Sequence, residues 1–404
     1  MSDASDAGFK QVTEIAQARE RLLGRSMPHG RTERVPLVAA EGRLLASDLT
    51  ADRDVPHFTR AAVDGWAVQA ADTFGAGERS PAVLGVADQR VSTGRAVRVH
   101  TGSELPDGAD AVVMIEDTTT VGEEIEVFDA AAGGQHVAPA GEDVATGQAL
   151  YERGHRIRPS DLGLLKSVGI RRPLVADRPT VGVIPTGEEL VDQEPAPGEV
   201  IETNGLTVSR YVERWGGQST YRDVVTDDSA ALRAAIQRDL VRDVIVTTGG
   251  SSVGARDLIP DVVEELGELL VHGVALKPGH PCALGVVEET PVVILPGYPV
   301  ACIINAVQFL RPLIYHLAGG AAPPHPAQQA RLDRKVLSEP GVRTFARVRL
   351  ASEEGELVAT PTRASGSGVL SSVALADGWV AVPEPLEGYD TGETVSVQNW
   401  ESHQ

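Results

Sequence analysis

The chain reads as a multidomain protein of α/β plus β class, and three observations carry that expectation. Between residues 179 and 320, apolar strand-like runs alternate with helix-like stretches, as in a right-handed parallel βαβ unit. Residues 49–146 and 328–404 instead consist of short β-like runs divided by turn residues. The strands of the α/β region end on glycine turns beside acids or prolines, the place where open α/β sheets bind ligands.

Taken in order, Met1 to Gly8 is small and acidic and is expected to fray. Val12, Ile15, Arg19, Leu22 and Leu23 mark a short amphipathic helix that stops at Gly24. The inserted β region includes the runs Ala111 to Met114 and Ile125 to Phe128, broken by Gly122 and by Gly133-Gly134. Ser160 is a natural N-cap for a helix over Asp161 to Val168, with Arg171-Arg172-Pro173 leading out of it. After Pro179 the pattern predicts a strand over Val181 to Ile184, helices after Thr203-Asn204 and after Asp228, a strand over Val244 to Val246 and a helix over Ile259 to Leu266. A strand over Pro291 to Leu295 leads to the apolar run Val300 to Leu317, which Pro299 is placed to open. Gly319 to Ala327 is a linker by composition, and Phe345 to Leu350, Trp379 to Val382 and Thr394 to Val397 read as β.

Composition narrows the function. In 404 residues, 57 acidic against 36 basic side chains leave a formal net charge of −21, which argues against generic attraction to nucleic acid or an anionic membrane. Lys10, Lys166, Lys277 and Lys335 are the only lysines. Cys282 and Cys302 both border apolar runs and read as buried hydrophobes rather than a disulfide or a catalytic thiol. No N-terminal apolar run and no stretch of eighteen uninterrupted apolar residues occurs, so the chain is expected to be cytoplasmic and soluble. The ten histidines show no His-x-x-x-His spacing.

The richest stretch is Val244 to Asp257, a buried strand followed by Gly249-Gly250, Ser251-Ser252, Gly254 and a terminal carboxylate. Glycines let the backbone approach a ligand, a helix after Asp257 would aim free N–H groups at an anion, and Asp257 could hold a cation against it. Thr180 to Leu190 repeats the pattern as strand, Thr186-Gly187 turn, the acids Glu188-Glu189 and an expected helix. A third such loop is Leu295-Pro296-Gly297-Tyr298-Pro299, and Lys277-Pro-Gly-His-Pro281 sets a cation beside another glycine turn. Each loop alone could be a tight βα connection; together they point to one extended, anionic ligand.

These phrases resemble those of the molybdopterin molybdenumtransferase family, which includes the E domain of gephyrin. Pro185-Thr-Gly-Glu-Glu-Leu, Thr248-Gly-Gly-Ser-Ser-Val-Gly, Lys277-Pro-Gly-His-Pro and Leu295-Pro-Gly-Tyr-Pro-Val carry the likeness in the α/β region. It extends to Val55 to Val68 around Asp64-Gly65, to Ala140-Gly-Glu-Asp143-Val and to Ser365 to Ser372. The resemblance implies a parallel α/β molybdopterin-binding core over 179–320, an inserted β domain over 49–146, a mixed linking domain from 1–48 with 147–178, and a barrel-like C-terminal β domain over 328–404. It implies insertion of molybdate into adenylylated molybdopterin with release of AMP, helped by Mg²⁺. A homodimer is implied as well, with the upstream adenylyltransferase and apo-molybdoenzymes as partners.

Carried over residue by residue, the motif carboxylates are Asp64, Asp143, Asp227, Asp257 and Glu189, with Lys277 as a cation. Asp64, Asp257 and Glu189 are the implied Mg²⁺ ligands. Thr186, Gly187, Thr248, Gly249, Gly250, Ser251, Ser252, Gly254, Pro296, Gly297 and Pro299 are the implied pterin and phosphate contacts, and Arg343 and Arg347 meet the molybdate. Plainer readings stay open: Asp64 as a turn residue, Asp227 or Asp228 as a helix cap, Ser251 and Ser252 as caps. The chain departs from the family phrases at Pro185, which removes a hydroxyl and a backbone donor, and at His280, Tyr298, Ala301 and Arg60. A tungstate-preferring paralogue and a non-catalytic molybdopterin-binding module remain alternatives. The adenylyltransferase acting one step earlier would need neither the Asp64 and Asp143 motifs nor the last β domain.

Overall fold

Helix α1 (Ile15–Gly24) forms where Ile15, Ala18 and Leu22 recur at helical spacing, and these are its buried residues. It belongs with residues 176–404 in one unit, while residues 34–175 form the other. The computed structural model describes residues 12–249, 258–362 and 368–400.

In the 34–175 unit, β1 (Gly65–Val68), β2 (Ala82–Ala87), β3 (Arg95–Val99), β4 (Ala111–Met114), β5 (Thr118–Val121) and β6 (Glu124–Val127) make one sheet in the order β4-β1-β3-β2-β6-β5. Every pairing in it is antiparallel except β2 with β3. Side chains alternate across a strand, so both faces acquire a core. Trp66, Leu84, Ile125 and Val127 pack on one side, and Ala67, Val97, Val99 and Val112 on the other. A further core gathers Leu45, Ile157, Leu165, Val168 and Val175 around α2 (Pro159–Ser167).

The start of α2 corrects the expected cap. Arg158, not Ser160, is the N-cap, because Pro159 has its φ fixed for a helix and no N–H to satisfy. Asp161 then reaches back to accept from the Arg158 backbone N–H at 2.9 Å. Only 2% exposed, Asp161 also accepts from Arg158 Nη2 at 2.9 Å and from the Tyr151 hydroxyl at 3.1 Å, and lies 2.7 Å from His155 Nε2. Burial alone would raise its carboxyl, but the hydrogen bonds from Arg158, His155 and Tyr151 outweigh that and hold it well below the usual carboxylate range.

The α/β part contains β7 (Thr180–Pro185), α3 (Asn204–Arg214), β8 (Gln218–Tyr221), α4 (Ser229–Asp239), β9 (Val244–Thr248), α5 (Leu258–Leu266), β10 (Glu268–His272), β11 (Ala283–Val287), β12 (Thr290–Leu295) and α6 (Pro299–Asn305). The sheet order is β8-β7-β9-β12-β11-β10. The first four strands are parallel, as expected, but β11 and β10 add an antiparallel edge. Its core includes Ile184, Ile236, Ile245, Val263 and Ile294, each 1% exposed or less. Burying each such side chain contributes about 1.5–3 kcal/mol. Helix α6 opens at Pro299 and continues helically to Leu317; the whole is long and apolar enough to cross a membrane, but it is mostly buried as a core helix. Cys282 and Cys302 are free and buried, and burial pushes both thiols up.

The helix expected after Glu188-Glu189 does not form. Leu190–Val191 is extended and pairs in parallel with Val200–Ile201. Pro195 and Pro197 follow too closely for a helix to propagate.

The last domain is a closed barrel. β13 (Ala327–Leu332), β14 (Arg343–Glu353), β15 (Glu356–Pro361), β16 (Gly378–Val382) and β17 (Thr394–Asn399) run in the order β14-β15-β13-β17-β16, and β16 pairs back to β14. Closure removes the free edges of the sheet. Leu332, Val348, Ala359, Val380 and Val397 fill its core.

The Asp161 network makes a stability prediction. Asp161→Asn removes charge-assisted hydrogen bonds and is expected to destabilise the 34–175 unit by about 2 kcal/mol at pH 7, read as a lower thermal midpoint. Because the folded carboxyl titrates below the unfolded value of about 4, its contribution is complete above that pH and fades as pH falls below it. The difference between wild type and variant should therefore shrink from pH 7 to pH 3.

Candidate active site

Three parallel strands end level with one another: Pro185 lies beside Thr248, and Thr248 beside Leu295. Main-chain hydrogen bonds stitch the turns beyond them. Thr186 N–H donates to the Thr248 carbonyl (3.1 Å), Gly249 N–H to the Leu295 carbonyl (3.0 Å) and Gly187 N–H to the Val225 carbonyl (3.2 Å). Gly249 has φ 116°, and a Cβ there would sit 2.2 Å from the Thr186 carbonyl oxygen. Only glycine satisfies both conditions. At Gly187, φ 148°, the space of a side chain is taken by the Glu189 carboxylate, 2.9 Å from where a Cβ would be.

Pro185 is tolerated at the end of a central strand for a topological reason. The β7–β8 ladder ends at Val183 with Tyr221, and past it the Pro185 carbonyl accepts from Val225 N–H at 2.8 Å. The missing N–H falls beyond the last rung.

The turns open onto a cleft of about 600 Å³. Thr186, Glu189, Asp227, Thr248, Gly249, Gly297 and Pro299 are among its lining residues, so the strand-end loops do converge. Gly187 and Pro296 are their neighbours within the same turns. The Thr186 and Thr248 hydroxyls are buried and find no hydrogen-bond partner among the described residues, which leaves donors and acceptors for a ligand. Asp228, not Asp227, caps α4 by accepting from Ala231 N–H at 2.9 Å. Asp227 is thereby left to the cleft, where burial, then the charges of Glu189 and Glu188, push its carboxyl above the usual range.

The cleft also holds residues that sequence reasoning missed. Glu202, 6% exposed, accepts from Gly205 N–H in the first turn of α3 at 2.7 Å and from the Tyr221 hydroxyl. Burial and that carboxylate push the Tyr221 hydroxyl up. Asn204, the first residue of α3, donates from Nδ2 to the Gly297 carbonyl at 2.7 Å and so ties the helix to the third loop. The Thr203-Asn204 pair ahead of an amphipathic run was the available signal, although it marked only a helix start.

Other predicted residues lie elsewhere. Lys277 pairs with Glu339 at 2.6 Å and does not line the cleft. Arg343 pairs with Glu384 at 2.9 Å. Arg347 is 4% exposed in the barrel, reaches Ser372 Oγ at 3.4 Å, and is held below its ordinary pKa by burial. Asp64 and Asp143 belong to the 34–175 unit. Asp64 accepts from Thr101 N–H at 2.7 Å and Oγ1 at 3.2 Å, bonds that hold its carboxyl below the usual range. Asp143 is exposed. Asp257, Gly250, Ser251, Ser252 and Gly254 lie outside the described residues.

Comparison with known proteins decides the family. Residues 13–169 match the MoeA N-terminal region (domain I and II), 182–316 a probable molybdopterin binding domain, and 329–400 the MoeA C-terminal region (domain IV). The chain belongs to the MoeA family of molybdopterin molybdenumtransferases. It is 36% identical over 379 residues to a putative molybdopterin biosynthesis protein of Methanocaldococcus jannaschii, covering 91% of this chain and 92% of the other. To the molybdopterin molybdenumtransferase of Bacillus subtilis it is 32% identical over 385 residues, covering 91% and 90%. A crystal structure of the molybdopterin biosynthesis moeA protein from Pyrococcus horikoshii superposes with a TM-score of 0.85 at 32% identity, covering 96% of this chain and all of that one.

Family membership raises the question of Mg²⁺. Among the described residues, no group of three or more His, Cys, Asp or Glu is arranged to hold a metal ion. Mg²⁺, however, is usually held by one or two carboxylates together with substrate phosphates. Glu189 and Asp227 meet that need: both line the cleft, both are hard oxygen donors, and burial together with the acidic neighbours Glu189 and Glu188 holds the Asp227 carboxyl up. The donor set fits the ion.

Gly249→Ala tests the loop geometry. Forcing a Cβ against the Thr186 carbonyl at a positive φ is expected to cost about 1–3 kcal/mol, read as a lower thermal midpoint, whereas Gly24→Ala, with nothing within 4 Å, should leave the midpoint nearly unchanged.

Proposed function

We propose that the chain inserts molybdate into adenylylated molybdopterin with release of AMP, in a Mg²⁺-dependent reaction. The observation that carries this reading is a cleft onto which three strand-end turns open, lined by Glu189 and Asp227 and by threonines whose hydroxyls have no partner among the described residues. Cleaving a phosphoanhydride needs charge neutralised on its oxygens. The Thr186 and Thr248 hydroxyls would hold the phosphates. Mg²⁺, when bound, supplies the positive charge, with Glu189 and Asp227 as its protein ligands. No lysine or arginine lines the cleft among the described residues, so an anionic substrate there depends on such a cation.

Asp257, Ser251 and Ser252 are assigned to the same phosphate site on the family motif, and Asp64 and Asp143 to the same reaction. Arg343 and Arg347 are the oxyanion cations of this reading, contributed within a homodimer, as the resemblance implies. The reaction is placed in the cytoplasm, between the upstream adenylyltransferase and the apo-molybdoenzymes.

The test is AMP release from adenylylated molybdopterin by the purified protein with Mg²⁺ and either molybdate or tungstate. We expect oxyanion-dependent release, reduced about 10²- to 10³-fold in Asp227→Asn and in Glu189→Gln. Greater release with tungstate would identify a tungstate-preferring enzyme. Tight binding without turnover would show a binding module and overturn the enzymatic reading.

A further inference from the structure

Tyr298 is one of the departures from the family phrases, and its ring is largely exposed. It lines the cleft, is 59% exposed, and makes no hydrogen bond through its hydroxyl among the described residues. Its backbone, by contrast, is fixed. Tyr298 is the N-cap of α6, its carbonyl accepts from Cys302 N–H at 2.9 Å, and the preceding carbonyl, of Gly297, is held by Asn204. Val200 and Ile201, 54% and 44% exposed, line the same cleft. Exposed large apolar side chains thus share a cleft with Thr186, Thr248, Glu189 and Asp227. Gly368 lies beside the ring: a Cβ there would be in ordinary van der Waals contact with Tyr298 Cδ1, at 3.4 Å.

An aromatic ring on a fixed backbone, exposed to water in the cleft that the strand-end turns line, is what a flat ligand ring requires: stacking area at little cost in conformational entropy. We infer that Tyr298 is a positioning residue that stacks on a planar heteroaromatic ring of the ligand whose phosphate lies against the Thr186-Gly187 and Gly249 turns. The inference rests on the proposed function, which supplies a ligand with two such rings, adenine and pterin.

The experiment is calorimetric titration of the whole protein, with Mg²⁺, using AMP, 6-hydroxymethylpterin and ribose 5-phosphate as probes. Wild type, Tyr298→Phe and Tyr298→Ala are compared. Tyr298→Ala is expected to weaken AMP or the pterin about tenfold, with Tyr298→Phe within about twofold of wild type and ribose 5-phosphate unchanged. Whichever ring ligand weakens identifies the stacked ring. Unchanged affinity for both ring ligands in Tyr298→Ala overturns the inference and leaves the functional reading standing. Equal weakening of ribose 5-phosphate also overturns it, because the loss would then come from the turns. If wild type binds none of the three probes, the functional reading falls first, and this inference with it.

Discussion

The cleft depends on one close approach, that of Gly249 to the Thr186 carbonyl. Parallel register brings the ends of β7, β9 and β12 to one level, and the Thr186, Gly249 and Gly187 amides are then spent on neighbouring carbonyls. With the turns pinned in this way, the Thr186 and Thr248 hydroxyls are buried without partners among the described residues, and Glu189 folds over Gly187. Asn204 adds the remaining loop through its bond to Gly297. The ligand-facing geometry is therefore a consequence of the sheet register and not of flexible side chains finding each other.

Electrostatics sets the second constraint. A chain of formal net charge −21 places Glu189, Glu202 and Asp227 around a cleft proposed to receive a phosphoanhydride. Glu202 is already committed to Gly205 and Tyr221, so it serves the architecture of α3. Glu189 and Asp227 are not committed in this way, and their mutual repulsion is the kind that a divalent cation relieves. On the proposed reading, a divalent cation held between them would reconcile the acidity of the site with the anionic substrate.

Much of this was legible in the sequence because the signals are local. Strands ending on Thr-Gly and Gly-Gly, Pro299 at the start of α6, and the short β-like runs of the inserted sheet are read within a few residues, and the structure follows them. Where prediction failed, a neighbour decided. Pro159 moved the cap of α2 from Ser160 to Arg158, and Pro195 and Pro197 kept Leu190 extended where a helix was expected. The antiparallel edge formed by β10 and β11 had no local signature. Contacts across long separations were not legible at all: Glu202 with Tyr221, Asn204 with Gly297, and Lys277 drawn to Glu339 and away from the cleft.

The measurement that tests the account most directly is a crystal structure of the protein with AMP and Mg²⁺. The account predicts the phosphate against the Thr186-Gly187 and Gly249 turns, with the ion on Glu189 and Asp227. Nucleotide bound away from those turns, or an ion held by neither carboxylate, would contradict it.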